Sequence, residues 1–141
     1  MSQVRDIIQN REWFHVWEED TVAGTVRRMA DLHVGAILVF RGEELCGVFS
    51  ERDLLNRVVL AGLDPNCTPV GQVMSTNLAT VDEMAKAEEA MEQMSAHGCR
   101  HLPVMRGPKV VGFLSMRDLM QFELARRTED LGHMRDYIGR V

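Results

Sequence analysis

The chain contains an internal repeat. Residues 47–54 have the form Gly-x-x-Ser-x-Arg-Asp-Leu, and residues 112–119 repeat that form without a gap. The two segments are 65 residues apart. Further pairs of identical residues have the same separation: Val16 and Val81, Glu18 and Glu83, Met29 and Met94, Val39 and Val104, and Arg41-Gly42 and Arg106-Gly107. A fixed period of this kind marks one structural unit used twice, here a unit of about 60 residues.

Each copy contains the same order of predicted elements. A short strand ends near Val16, and apolar residues at helical spacing follow Asp20, the predicted N-cap. Strands at 36–40 and 45–49 enclose a turn, which is typical of a hairpin, and a helix follows Ser50. The unit is predicted to be β-α-β-β-α. The fold class is α/β (α+β), with two tandem repeats packed sheet to sheet in pseudo-twofold symmetry.

The repeat divides the chain into four predicted segments: repeat 1 at residues 1–63, a linker at 64–69, repeat 2 at 70–125, and a C-terminal tail at 126–141. In the linker, Thr68 and Pro69 are predicted to open a short helix as its N-cap and first residue. Apolar residues at near-helical spacing predict an amphipathic helix for the tail: Leu131, Met134, Tyr137 and Ile138.

Composition limits the classes of partner and compartment. The net charge of -5 argues against duplex nucleic acid, because phosphate binding usually needs a basic face. The longest apolar runs, 36–40 and 58–61, are far short of the roughly 20 residues of a membrane-spanning helix. The first ten residues lack the apolar core of a secretory signal. The three cysteines show no CxxC spacing, so we expect no disulfide scaffold and a cytoplasmic location.

A β-α-β-β-α unit that ends in Gly-h-h-Ser-x-x-Asp-Leu and occurs twice resembles the CBS-domain pair, also called a Bateman module. Residues 100–104, Arg-His-Leu-Pro-Val, match the second-strand pattern of that family, and the likeness covers about residues 2–125. The first repeat resembles small stand-alone bacterial CBS proteins without an enzyme domain. The resemblance implies a regulatory module and no enzyme, and the sequence contains no GxSxG, HExxH or GxxxxGK motif.

The resemblance also implies a ligand. Such pairs commonly bind adenosine-containing molecules in clefts between the repeats: AMP first, then ADP, ATP, NAD(H) and S-adenosylmethionine. The residues that it implies are Asp53 and Asp118 for the ribose hydroxyls, Ser50 and Ser115 beside them, Arg100 and His101 for phosphate, Thr80 for the base or ribose, and Pro103 in the strand that encloses the adenine.

The chemistry of these residue types agrees with the implied roles. A carboxylate accepts hydrogen bonds from two vicinal hydroxyls at once, as a ribose offers them. A serine just before a helix start leaves backbone N–H groups and the positive end of the helix dipole beside the ligand, which favours phosphate. An arginine such as Arg100 can grip a phosphate with two donors.

The two copies are not equivalent at these positions. Gly35-Ala36 stands where the second copy has Arg100-His101, and His15 replaces Thr80. One cleft is therefore expected either to be empty or to hold a different ligand.

Several of these residues also have a purely structural interpretation. The segments 50–53 and 115–118 fit capping boxes that close a helix start, and a capping role can coexist with nucleotide contact. The segment 97–101, His-x-Cys-x-His, could hold a metal, although no fourth ligand is evident. Trp13 and Trp17 flank the first strand and either belong to the core or cover an adenine.

The sequence thus predicts a cytoplasmic module that binds an adenine nucleotide reversibly and has no obligatory cofactor. It would report the ligand to an unknown regulated protein by population shift, and it would form a homodimer through its helices. No nucleic acid or membrane partner is expected. One alternative is a protein-interaction module with degenerate clefts, which the asymmetry between the copies supports. Another is an enzyme or a metal-dependent redox protein that uses Cys99 and the nearby histidines.

Overall fold

The computed structural model describes the backbone of residues 2–139 and the side chains of residues 2–132. In chain order its elements are α1 (Val4–Ile8), β1 (His15–Trp17), α2 (Val22–Leu32), β2 (Ala36–Arg41), β3 (Glu44–Ser50), α3 (Glu51–Asp53) with a π-helical continuation (Leu54–Val59), a 3-10 turn (Val70–Gln72), β4 (Val81–Asp82), α4 (Ala87–His97), β5 (His101–Arg106), β6 (Lys109–Ser115) and α5 (Met116–Gly139). Most of the predicted tail belongs to α5. The side chains of Met134, Tyr137 and Ile138, on which its predicted amphipathic character depends, lie outside the described residues.

The chain forms two compact units. The first-repeat unit consists of residues 12–79, and the second-repeat unit consists of residues 1–11 and 80–141, as far as the structure describes them. The segment that leads into each repeat therefore packs with the body of the other repeat. The domain boundaries predicted from the repeat stay a prediction, because the two units are defined by packing and not by the sequence period.

Each unit is built on a three-stranded sheet of the same topology. The strand orders are β1-β2-β3 and β4-β5-β6, and in both sheets the first pair of strands is parallel and the second pair antiparallel. The register slips at the equivalent place in both hairpins, after Val39 and after Val104. The predicted fold class of two β-α-β-β-α repeats is confirmed. The packing of one sheet on the other stays a prediction.

Apolar side chains cover the central strand of each sheet. In the first-repeat unit, the residues of β2 from Ala36 to Phe40 are all buried. The buried core around them comprises Val16, Val22, Met29, Ile37, Val39, Phe49, Val58, Val70, Val73 and Met74. The second-repeat unit buries a matching set: Val4, Ile7, Val81, Ala90, Met94, Leu102, Val104, Leu114 and Leu119. Burial of this kind is the main favourable term in folding.

Two of the predicted helix starts are wrong by one residue. The N-cap of α2 is Thr21, whose Oγ accepts a hydrogen bond from Gly24, while the Asp20 carboxylate accepts one from the backbone of Trp17 instead. Pro69 is the N-cap of the 3-10 turn and not its first residue. Its backbone is extended because it bridges to Thr21, which delays the turn by one residue.

The last helix differs between the repeats. In the first it begins as α3 and widens into a π-helical segment that buries Val58 and exposes Leu55 and Val59. In the second, α5 continues as a regular helix to Gly139. Within residues 2–139, none of the helices combines the length and the apolar character that crossing a bilayer requires.

The glycine at the head of each motif admits the segment that arrives from the other repeat. A Cβ at Gly47 would lie 2.9 Å from the carbonyl oxygen of Ser75 and would collide with the side chain of Met74. Val48 and Ser75 exchange two backbone hydrogen bonds of 3.0 and 2.8 Å there. Gly112 admits α1 in the same way, since its Cβ would lie 2.7 Å from Cδ1 of Ile8.

Candidate functional site

The structure divides the predicted site residues unequally between the units. The first-repeat unit contains Ser50 and Asp53, whereas the second-repeat unit contains Thr80, Arg100, His101, Pro103, Ser115 and Asp118. The second-repeat unit therefore holds a full set of candidate groups for ribose, phosphate and base.

The start of β5 lies beside the start of α5. His101 pairs with Ser115 across the β5–β6 hairpin, and the backbone N–H of Met116 donates a hydrogen bond of 2.8 Å to the carbonyl oxygen of Arg100. The imidazole of His101 stacks on the ring of Phe113, with centroids 5.3 Å apart. The sheet register thus brings Arg100 and His101 to the helix N-terminus that was expected to favour phosphate.

Thr80 and Pro103 lie where the pairing of β4 with β5 ends. Strand β4 pairs with β5 only from Val81 opposite Val104, so Pro103 falls just beyond that ladder. A proline is tolerated there because β4 does not extend far enough to need its N–H. Pro103 is buried, while Thr80, the residue before β4, is exposed and available to a ligand.

Asp118 combines a capping role with an ion pair. Its Oδ2 accepts a hydrogen bond of 2.9 Å from the backbone of Ser115, and its own N–H donates one of 3.0 Å to Ser115 Oγ. Its Oδ1 accepts a hydrogen bond from the guanidinium of Arg11. The side chains of Asp118 and Arg11 are 22% and 46% exposed, so solvent reaches this carboxylate.

Asp53 occupies the matching position of the first repeat, but the protein encloses it. Its Oδ2 accepts hydrogen bonds from the N–H and the Oγ of Ser50, at 3.0 and 3.1 Å, and its Oδ1 accepts one of 2.9 Å from Ser75 Oγ. Arg57 Nε lies 3.6 Å from the same Oδ1, and Asp53 is only 5% exposed. A carboxylate has about four acceptor positions, and here protein groups take most of them.

The two units also differ in charge where phosphate was expected to bind. In the first-repeat unit Gly35 replaces Arg100, and the carboxylate of Glu51 lies 3.5 Å from where a Gly35 Cβ would be. In the second repeat the position of Glu51 is taken by Met116. A carboxylate beside a helix start repels a phosphate, so the charges favour an anion in the second-repeat unit.

Two ion pairs recur identically in both units. Arg41 donates two hydrogen bonds of 2.8 Å to Glu18, and Arg106 donates bonds of 2.6 and 3.0 Å to Glu83. These hydrogen bonds lower the pKa of both glutamate carboxyls. Each pair connects the turn after the first strand to the end of the central strand. The identity of these four residues between the copies therefore has a structural reason.

The segment His97-Gly98-Cys99-Arg100-His101 does not assemble a set of ligands. His97 ends α4, where its Nδ1 lies 3.0 Å from the carbonyl oxygen of Gln93. Over the part of the chain that the structure describes, no group of three or more His, Cys, Asp or Glu side chains is placed to hold a metal ion.

Trp13 and Trp17 join an aromatic cluster in the first-repeat unit. The ring of His15 lies 4.8 Å from that of Trp17 and 4.9 Å from that of Phe40, and the rings of Trp13 and Phe40 are 5.9 Å apart. Phe40 is buried, whereas Trp17 is 42% exposed. The residue that replaces Thr80 in the first copy is therefore packed among aromatic rings.

Two contacts of the motif aspartates were missed by the sequence reasoning, those of Arg11 and Ser75. Arg11 precedes its partner by 107 residues and Ser75 follows its partner by 22. Both residues lie at the end of a segment that packs with the other repeat. The signal that could have revealed them is the motif glycine, which leaves room for such a segment.

Comparison with known proteins supplies the family. The sequence model of the CBS domain matches residues 4–60 and 70–125, which are the two repeats and most of the chain. The chain belongs to the CBS-domain family. Its two repeats form a CBS-domain pair, a regulatory class of module whose members generally bind adenine nucleotides.

Curated relatives include proteins longer than this chain. The mitochondrial CBS domain-containing protein CBSX3 of Arabidopsis thaliana is 31% identical over 131 residues, which cover 89% of this chain and 64% of that protein. Hypoxic response protein 1 of Mycobacterium tuberculosis is 28% identical over 120 residues, which cover 84% of this chain and 83% of that protein. CBSCBSPB1 of Arabidopsis thaliana is matched over 20% of its length.

Solved structures agree with the fold. A CBS-domain protein from Burkholderia ambifaria MC40-6 is 31% identical and superposes with a TM-score of 0.84, over 88% of this chain and 95% of that one. Hypoxic response protein I, whose structure contains two coordinated zinc ions, is 28% identical and superposes with a TM-score of 0.74, over 86% of this chain and 99% of that one.

Proposed function

We propose that this CBS-domain pair is a regulatory sensor that binds an adenine nucleotide, with AMP the first candidate, at the second-repeat unit. The observation that carries the proposal is the arrangement at the start of α5. There a partly exposed carboxylate, Asp118, lies at the helix N-terminus that also adjoins Arg100 and His101.

Each part of a nucleotide has a suitable group in this arrangement. Asp118 has two oxygens, of which Oδ2 is fixed by the backbone of Ser115 and Oδ1 faces the exposed Arg11. The ribose hydroxyls would donate to Asp118, with Ser115 holding the carboxylate in place. The phosphate would meet Arg100, His101 and the first N–H groups of α5, where the helix dipole favours an anion.

The base would lie beside Thr80, where the pairing of β4 with β5 ends. Pro103 has no N–H that would compete for the base, and the exposed hydroxyl of Thr80 can donate to or accept from the ring nitrogens. The choice among AMP, ADP, ATP, NAD(H) and S-adenosylmethionine depends on what extends from the ribose.

The first-repeat unit fits this ligand less well. Asp53 is enclosed by Ser50, Ser75 and Arg57, and Glu51 brings negative charge to the helix start. These contacts favour one occupied nucleotide site per chain. They also support the second candidate function, a protein-interaction module, should the second-repeat unit bind no nucleotide.

Signalling would then follow from population shift. A ligand moves a conformational equilibrium only by its difference in affinity for the two states, so the nucleotide must bind one arrangement of the module more tightly. The partner would be a regulated protein, and a homodimer would present its surface twice. The location is proposed to be cytoplasmic.

Titration calorimetry with AMP, ADP, ATP, NAD, NADH and S-adenosylmethionine tests the proposal, with two variants as a matched pair. Asp118→Asn should weaken binding of the preferred nucleotide by at least about tenfold, because the charged acceptor of the ribose hydroxyls is lost. Asp53→Asn, the same change at the equivalent position, should leave the affinity within about twofold. No heat with any of the six ligands, or equal loss in both variants, would contradict the proposed site.

A further inference from the structure

Arg11 and the proposed ribose compete for the same oxygen atom. Asp118 Oδ2 is held by the backbone of Ser115, and Arg11 donates to the other oxygen, Oδ1. A ribose that binds Asp118 with one hydroxyl on each oxygen meets the guanidinium at Oδ1 and competes with it there. Arg11 is thus an internal occupant of the site proposed above.

The guanidinium can leave at small cost. Its side chain is 46% exposed, and an ion pair between partly exposed groups contributes little net stability because water solvates both charges when it opens. The contact is also remote in sequence, since Arg11 lies 107 residues before Asp118 and is attached to the segment that follows α1.

In the first-repeat unit the motif aspartate has a partner that cannot be displaced. There the equivalent oxygen of Asp53 accepts from Ser75, a short neutral side chain that arrives on the corresponding segment, 2.9 Å away. A serine hydroxyl cannot swing out to a second ligand, whereas the long arginine side chain can. The two repeats therefore place a fixed group and a movable cation against the same oxygen of the motif aspartate.

A displaced guanidinium needs a new anion. On a nucleotide held by its ribose at Asp118, the 5′-phosphate lies one sugar ring away from the diol, and a guanidinium binds phosphate with two parallel hydrogen bonds. A nucleoside offers no such anion, so its binding breaks the ion pair of Arg11 without replacing it.

We propose that Arg11 makes recognition depend on phosphate: it blocks Asp118 against nucleosides and transfers to the phosphate when a nucleotide binds. The inference rests on the proposed nucleotide site and names a residue that determines its specificity. It also gives a reason for the ion pair of Asp118 with Arg11 at a site that is proposed to bind a phosphate.

The test is calorimetric titration of the full chain with AMP and with adenosine. In the wild type, AMP should bind at least about tenfold more tightly than adenosine. In Arg11→Gln, adenosine should bind more tightly than to the wild type and AMP more weakly, so the ratio of the two affinities should fall about tenfold or more. Arg5→Gln removes the same charge from α1 of the same segment and should keep the wild-type ratio.

Thermal unfolding of each variant checks that the fold is intact. Wild-type binding of AMP with an unchanged ratio in Arg11→Gln overturns the role of Arg11 and leaves the nucleotide site standing. Failure of both ligands to bind to all three proteins overturns the nucleotide site and the inference together.

Discussion

The carboxylate of Asp53 accepts a hydrogen bond of 2.9 Å from Ser75, a residue that lies beyond the linker and directly beside β3. This bond fastens the segment that leads into the second repeat to the motif of the first. The motif aspartate of the first repeat is thus part of a buried polar network, while its counterpart Asp118 remains partly exposed.

Two substitutions in this network should destabilise the protein by different amounts. Ser75→Ala should lower the free energy of unfolding by about 1 kcal/mol, because one hydrogen bond is lost. Asp53→Ala should lower it by about 2–3 kcal/mol, because Ser50, Ser75 and Arg57 then all lose an acceptor. Urea denaturation followed by circular dichroism measures both. Equal losses for the two variants would show that Asp53 does not act as the centre of the network.

The two motif glycines should respond differently to a methyl group. Gly47→Ala pushes a Cβ against the backbone of Ser75, which cannot move without breaking its pairing with Val48, so we expect a loss of about 1–3 kcal/mol. Gly112→Ala meets the Ile8 side chain and no backbone atom among its nearest neighbours, and the closest atom, Cδ1, can move by a change of rotamer, so its loss should be smaller. Denaturation midpoints compare the two, and a larger loss at Gly112 would contradict this account.

The recurring Arg–Glu pairs predict a dependence of stability on acid. Hydrogen bonds from Arg41 and Arg106 hold the pKa of Glu18 and Glu83 below the ordinary value of 4.5. The unfolded chain therefore binds protons first as the pH falls, so this contribution is present above about pH 4.5 and is lost below it. Both arginine partners are exposed and both carboxylates are partly exposed, so the effect should be small.

The measurement is the urea midpoint between about pH 3 and pH 7 for the wild type and for Glu18→Gln/Glu83→Gln. The variant should show a flatter profile at the acid end. A variant profile parallel to that of the wild type would mean that these pairs do not respond to protonation. The double variant Glu43→Gln/Glu92→Gln, which removes two exposed carboxylates, is the control for the altered net charge.

Cys67 should react slowly for an exposed thiol. Its Sγ donates a hydrogen bond to the carboxylate of Asp64, 3.4 Å away, and this bond and the nearby negative charge raise the pKa of the thiol. Since the thiolate is the reactive form, Asp64→Asn should speed alkylation of Cys67 by iodoacetamide at neutral pH by about severalfold. Peptide mapping by mass spectrometry separates Cys67 from the other cysteines, whose rates serve as internal references.

Local patterns of the sequence account for the parts of the fold that local interactions determine. The hairpins, the helix end at Gly98 and the capping boxes after Ser50 and Ser115 all depend on residues within a few positions of each other. Because the sequence repeats, the same local elements were predicted in both copies. The predicted N-caps, Asp20 and Thr68, were each one residue too early. The bridge between Thr21 and Pro69, a contact between residues distant in sequence, decides where each turn begins.

In the candidate site, too, the sequence predicts what depends on local pairing and not what depends on distant contacts. The positions of Arg100, His101 and Ser115 follow from the register of the β5–β6 hairpin, and the sequence predicted the hairpin without its register. The contacts of Arg11 with Asp118 and of Ser75 with Asp53 depend on which body each leading segment packs with. Nothing in the hydrophobic periodicity of those segments distinguishes the two possibilities.

The exchange of leading segments sets an order for assembly on the ribosome. The first-repeat unit has all of its residues once Ala79 has been synthesised. Residues 2–11 are synthesised before that unit, yet they pack against α4, β6 and α5 and must wait for the second repeat. These early residues are thus among the last to find their place, so a ribosome that stalls between the repeats leaves the apolar residues Val4 and Ile7 of α1 uncovered.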